Sequence, residues 1–296
     1  MDTQKLLFVF NPKSGKGLIK NHLVDIVDIM VKAGFEVTVY PTQKQGDATE
    51  KIIKDGAKYD RIVCSGGDGT LDEVVTGFRE TKLKLPLGYI PTGSTNDFAR
   101  SLNISSDMVK AAKVAVGNHI FPCDVGKFNG DTFVYIAAFG IFTDLSYETP
   151  QTLKNMLGHM AYVLSAAKSL LSIPNYQMLV DVDGEVIEDK FIYGMITNSV
   201  SVAGFSGITG QNVLFDDGEF EVTLIKSPKK VEDLNEIILY LTNFTNTSSM
   251  IYTYKAKKIR IVSEKEVPWT LDGEFGGNHT LVSIENRPKK INLLVE

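Results

Sequence analysis

The chain has 296 residues, of which 43% are hydrophobic and 23% are charged, a composition typical of a globular protein with one large or two medium domains. The formal net charge of −5 argues against a general nucleic-acid binder and against broad adsorption to anionic membranes. The two cysteines, Cys64 and Cys123, show no CxxC spacing and no neighbouring histidine, so we expect buried thiols in a reducing compartment.

We do not expect the beginning of the chain to be an export signal. The first segment, MDTQKLLFVFNPKSG, has an apolar part that is too short for a signal peptide, and it contains no cleavage site. No run of about 18 uncharged apolar residues follows, so no transmembrane helix is expected. These features predict a cytoplasmic protein.

The first part of the chain alternates strand and helix patterns. Alternation of this kind predicts a doubly wound, mainly parallel α/β sheet, in which phosphate-bearing ligands collect at the carboxyl ends of the strands. Asp47 is a plausible N-cap for the second helix. The predicted elements, in chain order, are KLLFVFN (strand), KNHLVDIVDIMVKAG (helix), FEVTVYPT (strand), DATEKIIKDGAK (helix), YDRIVCS (strand), LDEVVTGFRE (helix), LPLGYIPTG (strand), NDFARSLN (helix) and MVKAAKVAVGN (helix).

The pattern changes after residue 120 to short β-rich runs separated by Asn-Gly and Asp-Gly pairs. FNGDTF and DVDGEV are hairpin signals, and FEVTLIKS is a further strand, so we expect an antiparallel β-sandwich with few helices and a boundary near residue 125. An exception is 152–174, where apolar residues recur on one helical face. This segment is either a packed helix or a methionine-containing face that borders an apolar substrate site.

Three polar turns that contain glycine follow strands of the first part. They are FNPKSGKG at 10–17, GGDGT at 66–70 and PTGSTNDFAR at 91–100. Because the carboxyl ends of parallel strands meet at one edge of a sheet, the three turns are expected to converge on one crevice. Glycines at such a point let backbone N–H groups approach a phosphate, so a nucleotide site is predicted there.

The acidic residue of the second turn needs an explanation, since Asp68 would repel a bare phosphate. GGDGT is neither a Walker A loop nor GxGxxG. Asp68 is compatible with a phosphate site if a divalent cation, or water around such an ion, lies between the carboxylate and the phosphate oxygens. The alternative is a tight turn without a ligand.

These three turns, together with LDGEF at 271–275, resemble the catalytic domain of diacylglycerol kinases in its soluble bacterial form. The resemblance covers nearly the whole chain in the family's order. GGDGT alone is shared with NAD kinases and, more loosely, with phosphofructokinases, whereas PTGSTND and LDGE favour the lipid kinases. The resemblance implies an α/β nucleotide-binding domain over 1–124, to which 285–296 returns, and an antiparallel β-sandwich domain for the lipid substrate over 125–284.

The resemblance also implies roles for individual residues. Glu274 would be the general base, Asp68 the acid associated with the metal, and Asp97 part of an acidic network that could include Asp124. A structural magnesium ion would be bound by the carboxylate of Asp217 and the main-chain carbonyls of Leu214 and Glu219. The residues that would line the ATP site are Asn11, Pro12, Lys13, Ser14, Gly15, Thr42, Gly66, Gly67, Asp68, Gly69, Thr70, Leu71, Asp72 and Ser94.

This chain departs from the family pattern at three of these positions. Asp72 stands where asparagine is usual, which leaves its contact with the triphosphate open. Ser94 replaces a threonine and keeps the hydroxyl, and Leu214 can offer a metal only its carbonyl. The sequence around Asp272-Gly273 and the segment DDGEF (216–220) could also be hairpin turns without a catalytic or metal-binding role.

The function implied by the resemblance is ATP- and Mg²⁺-dependent phosphorylation of a lipid hydroxyl, with diacylglycerol giving phosphatidic acid as the leading case. The alternatives are a kinase for another lipid alcohol such as phosphatidylglycerol or a sphingoid base, an NAD kinase, and a non-catalytic lipid- or nucleotide-binding regulator. The resemblance suggests a homodimer. We expect peripheral contact with the inner membrane face through Lys255, Lys257, Lys258, Lys289 and Lys290.

Overall fold

The structure is a computed structural model that describes residues 3–94, 96–141, 173–199, 201–202, 205–206, 213–243 and 248–296. The helix predicted over 152–174 therefore lies, apart from its last two residues, outside the described residues. The chain divides into two compact units, which we call unit 1 (Met1–Val125 with Pro288–Glu296) and unit 2 (Gly126–Arg287). No helix in the described ranges has the length and hydropathy needed to span a membrane.

Unit 1 contains a parallel sheet with helices between its strands. β1 pairs in parallel with β2 and β3, and β3 pairs in parallel with β4, which confirms the predicted mainly parallel α/β arrangement. Every residue of β3 is buried, as expected for a strand that is covered on both faces. The elements are β1 (Gln4–Phe10), α1 (Ile19–Lys32), β2 (Phe35–Pro41), α2 (Asp47–Asp55), β3 (Arg61–Gly66), α3 (Asp68–Thr81), β4 (Pro86–Pro91), α4 (Asp97–Ser101) and α5 (Met108–Ala115).

Small residues bring the helices of unit 1 close to the sheet and to one another. A Cβ atom on Gly88 of β4 would lie 2.5 Å from the side chain of Ala115 in α5, so this contact requires glycine. A Cβ on Gly77 of α3 would likewise lie 2.6 Å from Ile52 of α2. The helices thus form two packed pairs, α1 with α5 and α2 with α3.

Two helix beginnings differ from the sequence prediction. The N-cap of α2 is Gly46 rather than Asp47. The Asp47 carboxylate instead accepts hydrogen bonds from the Tyr40 hydroxyl and from the backbone amide of Gln43. Helix α3 begins at Asp68 and not at Leu71, so the GGDGT turn supplies the first turn of the helix. The helix dipole, which is positive at its N-terminus, partly offsets the cost of burying an aspartate in that position.

Unit 2 is rich in antiparallel strands, as predicted. The hairpins at FNGDTF and DVDGEV are both present, as β5–β6 and β8–β9. Helix α6 (Val231–Asn243) was not predicted, although its buried residues Ile237 and Leu241 have helical spacing. The elements that begin after residue 119 are β5 (Ile120–Phe128), β6 (Asp131–Phe133), β7 (Ile136–Gly140), β8 (Tyr176–Val182), β9 (Glu185–Thr197), β10 (Ser201–Val202), β11 (Phe205–Ser206), β12 (Phe220–Lys226), α6 (Val231–Asn243), β13 (Ile251–Ala256), β14 (Lys258–Leu271) and β15 (Glu274–Leu294).

Strands β9 and β14 organise unit 2. Each pairs with β8 along one part of its length and with β7 along another, while β12 pairs with β9 and with β13. The enclosed core contains Trp269, whose ring lies 5.0 Å from that of Phe128 and 4.9 Å from that of Phe139. The end of β15 belongs to unit 1, where Asn292 and Leu293 pair in parallel with β4.

Candidate active site

The three glycine-bearing turns of unit 1 meet at the carboxyl ends of β1, β3 and β4. Gly15 has a φ of +56°, and a Cβ atom there would lie 2.3 Å from the carbonyl oxygen of Thr92. A Cβ on Gly93 would lie 2.5 Å from the Cα of Gly67. The turns approach so closely that side chains are excluded at these positions, which leaves backbone groups to line the crevice.

Main-chain hydrogen bonds hold the turns in register. The amide of Asn11 donates to the carbonyl of Ser65 at 2.9 Å, and the amide of Thr92 donates to the carbonyl of Gly66 at 2.8 Å. The amide of Thr42 donates to the carbonyl of Phe10 at 2.9 Å. Thr42 therefore lies beside the end of β1, in the same unit as the three turns.

The first and third turns are also braced by asparagine side chains. Asn11 Oδ1 accepts a hydrogen bond from the amide of Lys13 at 2.9 Å. Asn96, at a φ of +51°, accepts from the amide of Gly93 at 2.8 Å and donates to its carbonyl at 2.9 Å. Asn96 was not among the predicted site residues, although an asparagine directly before a helix is a recognisable signal for a special backbone conformation.

The other residues predicted to line the ATP site differ in exposure. Lys13 and Ser94 are exposed, Pro12, Gly69 and Asp72 are half-buried, and Ser14 and Thr70 are buried. Leu71 is only 1% exposed and packs in the core, so only its main chain could contact a ligand.

Asp68 is the first residue of α3 and is only 8% exposed. One carboxylate oxygen accepts a hydrogen bond of 3.1 Å from the amide of Asp97, while the other is buried and has no hydrogen-bond partner among the described residues. Burial, followed by the nearby charge of Asp97, raises the pKa of Asp68 to about 6. A buried carboxylate oxygen of this kind fits a cation, because its desolvation is otherwise uncompensated.

Tyr89 of β4 lies under the second turn and was not predicted as a site residue. Its hydroxyl donates to the carbonyl of Gly66 at 3.2 Å, and its side chain is 1% exposed. Burial raises the pKa of Tyr89 well above its usual value, so the hydroxyl stays a donor. In the sequence this tyrosine stands within an apolar strand, where the pattern indicates only a core position.

Asp124 of β5 is fully buried in unit 1, next to the C-terminal segment (Pro288–Glu296) that belongs to the same unit. Its Oδ1 accepts a hydrogen bond of 2.8 Å from the amide of Lys289, which has a φ of +53°. Asp124 thus positions the backbone of this segment, and its membership of an acidic network with Asp97 stays a prediction.

In unit 2, Glu274 is exposed and directly follows the two-residue turn that joins β14 and β15. Asp272 and Gly273 have φ values of 50° and 90°, so they do form the predicted hairpin turn. The buried carboxylate of Asp272 accepts hydrogen bonds from the amides of three consecutive residues, 134–136, which anchors the turn. Asp68 belongs to the other unit, and the approach of Glu274 to it stays a prediction.

The DDGEF segment forms a tight turn, in which Gly218 has a φ of +81°. Asp217 Oδ1 accepts from the amide of Glu219 at 3.0 Å, and Asp217 Oδ2 lies 3.3 Å from the ammonium of Lys255. The carbonyl of Glu219 accepts from the side chain of Asn286 at 3.1 Å. Leu214 is exposed, and across the described parts of the chain no three His, Cys, Asp or Glu side chains are grouped to hold a metal.

Lys255 also contacts a second carboxylate. It lies 3.4 Å from Glu221, its direct cross-strand neighbour, whose other oxygen is buried without a hydrogen-bond partner in the described structure. Burial raises the pKa of Glu221 to about 7, although the charge of Lys255 lowers it. Lys255 therefore supplies positive charge at the place where the resemblance implies a structural magnesium ion, and a metal at Asp217 stays a proposal.

Comparisons with known proteins agree with this architecture. Residues 5–128 match the diacylglycerol kinase catalytic domain, and residues 144–295 match the YegS C-terminal NAD kinase beta sandwich-like domain. The chain is 36% identical to a diacylglycerol kinase of Staphylococcus aureus (strain JH9), over 91% of this chain and 85% of the relative. It is 34% identical to a diacylglycerol kinase of Bacillus subtilis (strain 168), over 91% of this chain and 89% of the relative.

A solved structure shows the same likeness. The crystal structure of a diacylglycerol kinase from Bacillus anthracis str. Sterne is 27% identical in sequence and has a TM-score of 0.77, with 100% of this chain and 98% of that chain covered. The glycine turns and LDGEF thus occur in a chain that resembles diacylglycerol kinases over almost its full length. The chain therefore belongs to the diacylglycerol kinase family and is a lipid kinase.

Proposed function

We propose that the protein transfers the γ-phosphate of ATP to the hydroxyl of a diacylglycerol, giving phosphatidic acid, and that the reaction requires Mg²⁺. The observation that carries this proposal is the unpartnered, buried carboxylate oxygen of Asp68, at the point where the three glycine-bearing turns meet. A kinase site needs both features, because phosphoryl transfer depends on positioning and charge neutralisation rather than on covalent help from the protein.

The nucleotide would lie across the three turns with its phosphates towards the start of α3. Glycines at positions 15, 67 and 93 leave room for backbone N–H groups to face phosphate oxygens. Helix α3 has 14 residues, and the positive end of its dipole favours an anion at this place. The exposed side chain of Lys13 would add positive charge, and the hydroxyl of Ser94 could donate a hydrogen bond.

Asp68 would hold the metal, either directly or through water, while the Asp97 amide keeps the carboxylate oriented. When bound, Mg²⁺ would neutralise the phosphate oxygens on which charge develops during transfer. Asp72 stands on α3, one turn after Asp68, and adds a second carboxylate to this helix end. We expect this extra negative charge to make the nucleotide bind only as its magnesium complex.

Glu274 would accept the proton of the lipid hydroxyl. A primary alcohol is too weak an acid to be ionised beforehand by a carboxylate, so the proton would transfer late, as the new O–P bond forms. The exposed position of Glu274, on a turn anchored by Asp272, suits a substrate that arrives from a surface. The same geometry would serve another lipid alcohol, such as phosphatidylglycerol or a sphingoid base.

Peripheral binding at the inner membrane face remains part of the proposal, with fewer lysines than the sequence suggests. Lys255 is engaged by Asp217 and Glu221, and Lys257 lies 3.9 Å from Glu219. Lys258, Lys289 and Lys290 are exposed and have no ion pair with a described residue, so they are the better candidates for headgroup contacts. A cytoplasmic location and a homodimer are proposed from the family resemblance alone.

The decisive experiment measures ATP turnover by the purified protein on a panel of diacylglycerol, phosphatidylglycerol, a sphingoid base and NAD, each with and without Mg²⁺. The proposal requires magnesium-dependent formation of phosphatidic acid, with loss of turnover in Asp68→Asn and Glu274→Gln. The exposed Glu80→Gln on the same helix as Asp68 serves as the control and should keep full activity. Preferred phosphorylation of another acceptor, or turnover without a divalent cation, would refute it.

A further inference from the structure

Phe275 is an unusual surface residue. Its side chain is 71% exposed, and among the phenylalanine, tyrosine and tryptophan residues whose side-chain burial the structure describes, it is the only exposed one. Leaving a phenylalanine in water forgoes the free energy that its burial would provide. Single exposed apolar residues are common on protein surfaces. Phe275 differs from them because it is aromatic, a residue type enriched at contact surfaces, and because it directly follows Glu274, the proposed base.

The position of Phe275 is set by the hairpin between β14 and β15. It directly follows Glu274 and lies opposite the buried Thr270. On its other side, Gly276 packs so tightly that a Cβ there would lie 2.7 Å from the side chain of Leu271. With the turn anchored through Asp272, the ring is held outside the core of unit 2, at the tip of a fixed β-ribbon.

We propose that Phe275 is a membrane contact of the substrate site, whose ring enters the apolar layer of a lipid surface while Glu274 meets the hydroxyl of the lipid. This inference rests on the proposed function. The hydroxyl of a diacylglycerol lies at the bilayer interface, with its acyl chains directly below. Neighbouring Cα atoms are about 3.8 Å apart, and successive side chains of a strand point to opposite faces. With the base at the level of the hydroxyl, the ring of the next residue therefore lies on the other face of the ribbon, from where it can reach the boundary of the acyl layer. Phenylalanine, like tryptophan and leucine, is typical of apolar surfaces that enter the boundary between headgroups and acyl chains.

The chemistry of the site favours acyl chains over anionic headgroups as the contact. The residues next to Phe275 are the acidic Glu274 and two glycines, 276–277, which provide no positive charge for a headgroup. The contact should therefore be apolar and insensitive to salt, unlike a contact through lysines. A second copy of the chain could also cover an exposed ring, and the experiment includes that outcome.

The test compares Phe275→Ser and Phe275→Leu with a matched control. Leu281→Ser removes an apolar side chain that is 57% exposed on the same strand. Binding to phosphatidylcholine vesicles that contain diacylglycerol is measured by sedimentation at low and high salt. Phe275→Ser should weaken vesicle binding about tenfold at both salt concentrations, Phe275→Leu should restore most of it, and Leu281→Ser should bind like the wild type.

Turnover supplies a second readout. Phosphorylation of vesicle-borne diacylglycerol should fall in Phe275→Ser in parallel with binding, while phosphorylation of dihexanoylglycerol dispersed as monomers should fall by no more than about twofold. Circular dichroism and thermal unfolding establish that each variant is folded, and light scattering gives its oligomeric state.

Vesicle binding by Phe275→Ser equal to that of the wild type would overturn the inference, as would an equal loss in Leu281→Ser. A change from dimer to monomer in Phe275→Ser with vesicle binding intact would assign the ring to a contact between copies and also overturn it. If the wild type phosphorylated no diacylglycerol while vesicle binding still depended on Phe275, the proposed function would fail and the membrane contact would stand.

Discussion

The backbone amide of Asp97 donates a hydrogen bond of 3.1 Å to the carboxylate of Asp68, so two buried acidic residues from different turns lie side by side. Their charges repel, and burial raises the pKa of Asp68 to about 6. The folded chain therefore maintains a carboxylate that is unfavourable when ionised and alone. Such a group is stabilised when a cation binds to it, which links the stability of this unit to its proposed ligand.

Asp68→Asn should make the ligand-free protein more stable at pH 7.5 while it lowers turnover. The pKa of Asp68 is raised to about 6 in the folded chain from an ordinary value of 3.8. Because the carboxyl pKa is raised on folding, the folded state loses stability as the pH rises from about 4 to above 6. The free energy of unfolding falls by on the order of 3 kcal/mol for a shift of this size. Thermal unfolding of both proteins at pH 4 and pH 7.5 measures the difference.

The gain from Asp68→Asn should be several degrees in Tm at pH 7.5 and should vanish near pH 4, where the wild-type carboxyl is protonated. Added Mg²⁺ with nucleotide should raise the Tm of the wild type more than that of the variant. Equal stability of the two proteins at pH 7.5 would show that the carboxylate carries no buried charge penalty.

Glu274→Gln should lower kcat by about 10²–10⁴-fold with nearly unchanged affinity for ATP, because it removes the proton acceptor but keeps the size of the side chain. Its Tm should match that of the wild type, since Glu274 is exposed. Steady-state kinetics and nucleotide titration test both points. Near-normal phosphorylation of lipid by this variant would exclude Glu274 as the base.

Glu73→Ala should loosen the segment that carries Thr42. The Glu73 carboxylate accepts hydrogen bonds from the amides of Gly46 and Ala48, at 2.9 and 3.1 Å, and so takes the place of an N-cap side chain for α2. Loss of a cap typically costs about 1 kcal/mol. We expect a lower Tm and a raised KM for ATP.

The conservative variant Glu73→Gln keeps one acceptor oxygen and should recover part of both effects. Glu80→Gln, at an exposed site on the same helix, is the matched control. A Glu73→Ala variant with reduced Tm but an unchanged KM for ATP would mean that this clamp stabilises the fold without positioning Thr42.

Lys255→Met tests whether a lysine or a metal neutralises Asp217. Lys255 lies 3.3 Å from Asp217 and 3.4 Å from Glu221. Since its side chain is 40% exposed, its loss should cost only about 1 kcal/mol, measured as a lower Tm. The variant should regain stability with Mg²⁺, because a cation can then approach both carboxylates.

In the nucleotide-free wild type, Asp217 is expected to contribute nothing to any difference between the Tm in EDTA and the Tm in MgCl₂. Lys258→Met serves as the control for loss of an exposed lysine. If EDTA lowered the Tm of the wild type and Asp217→Asn removed that response, a structural magnesium ion would be bound at Asp217.

Much of the architecture could be predicted from local sequence patterns. Apolar runs separated by amphipathic helices indicate the parallel sheet, because period and chain order decide which faces are buried. The glycine-bearing turns could be placed at one sheet edge for the same reason, since parallel strands end together. Asp68 is a candidate from the sequence alone, because a carboxylate among glycines that are predicted to bind phosphate conflicts with elementary electrostatics unless a cation is present.

Tertiary structure alone decided which partners the polar side chains take. Asp47 was predicted to cap α2, yet Glu73 does so. It accepts hydrogen bonds from the backbone amides of Gly46 and Ala48, which precede it by 27 and 25 positions in the chain. Strand register places Lys255 opposite Glu221, a pairing that the sequence does not reveal, and its membrane contact stays a prediction. A sequence records the type and local period of each residue, whereas such pairs form between segments that only packing and strand register bring together. The burial of Asp68 and the exposure of Phe275 depend on the same long-range packing.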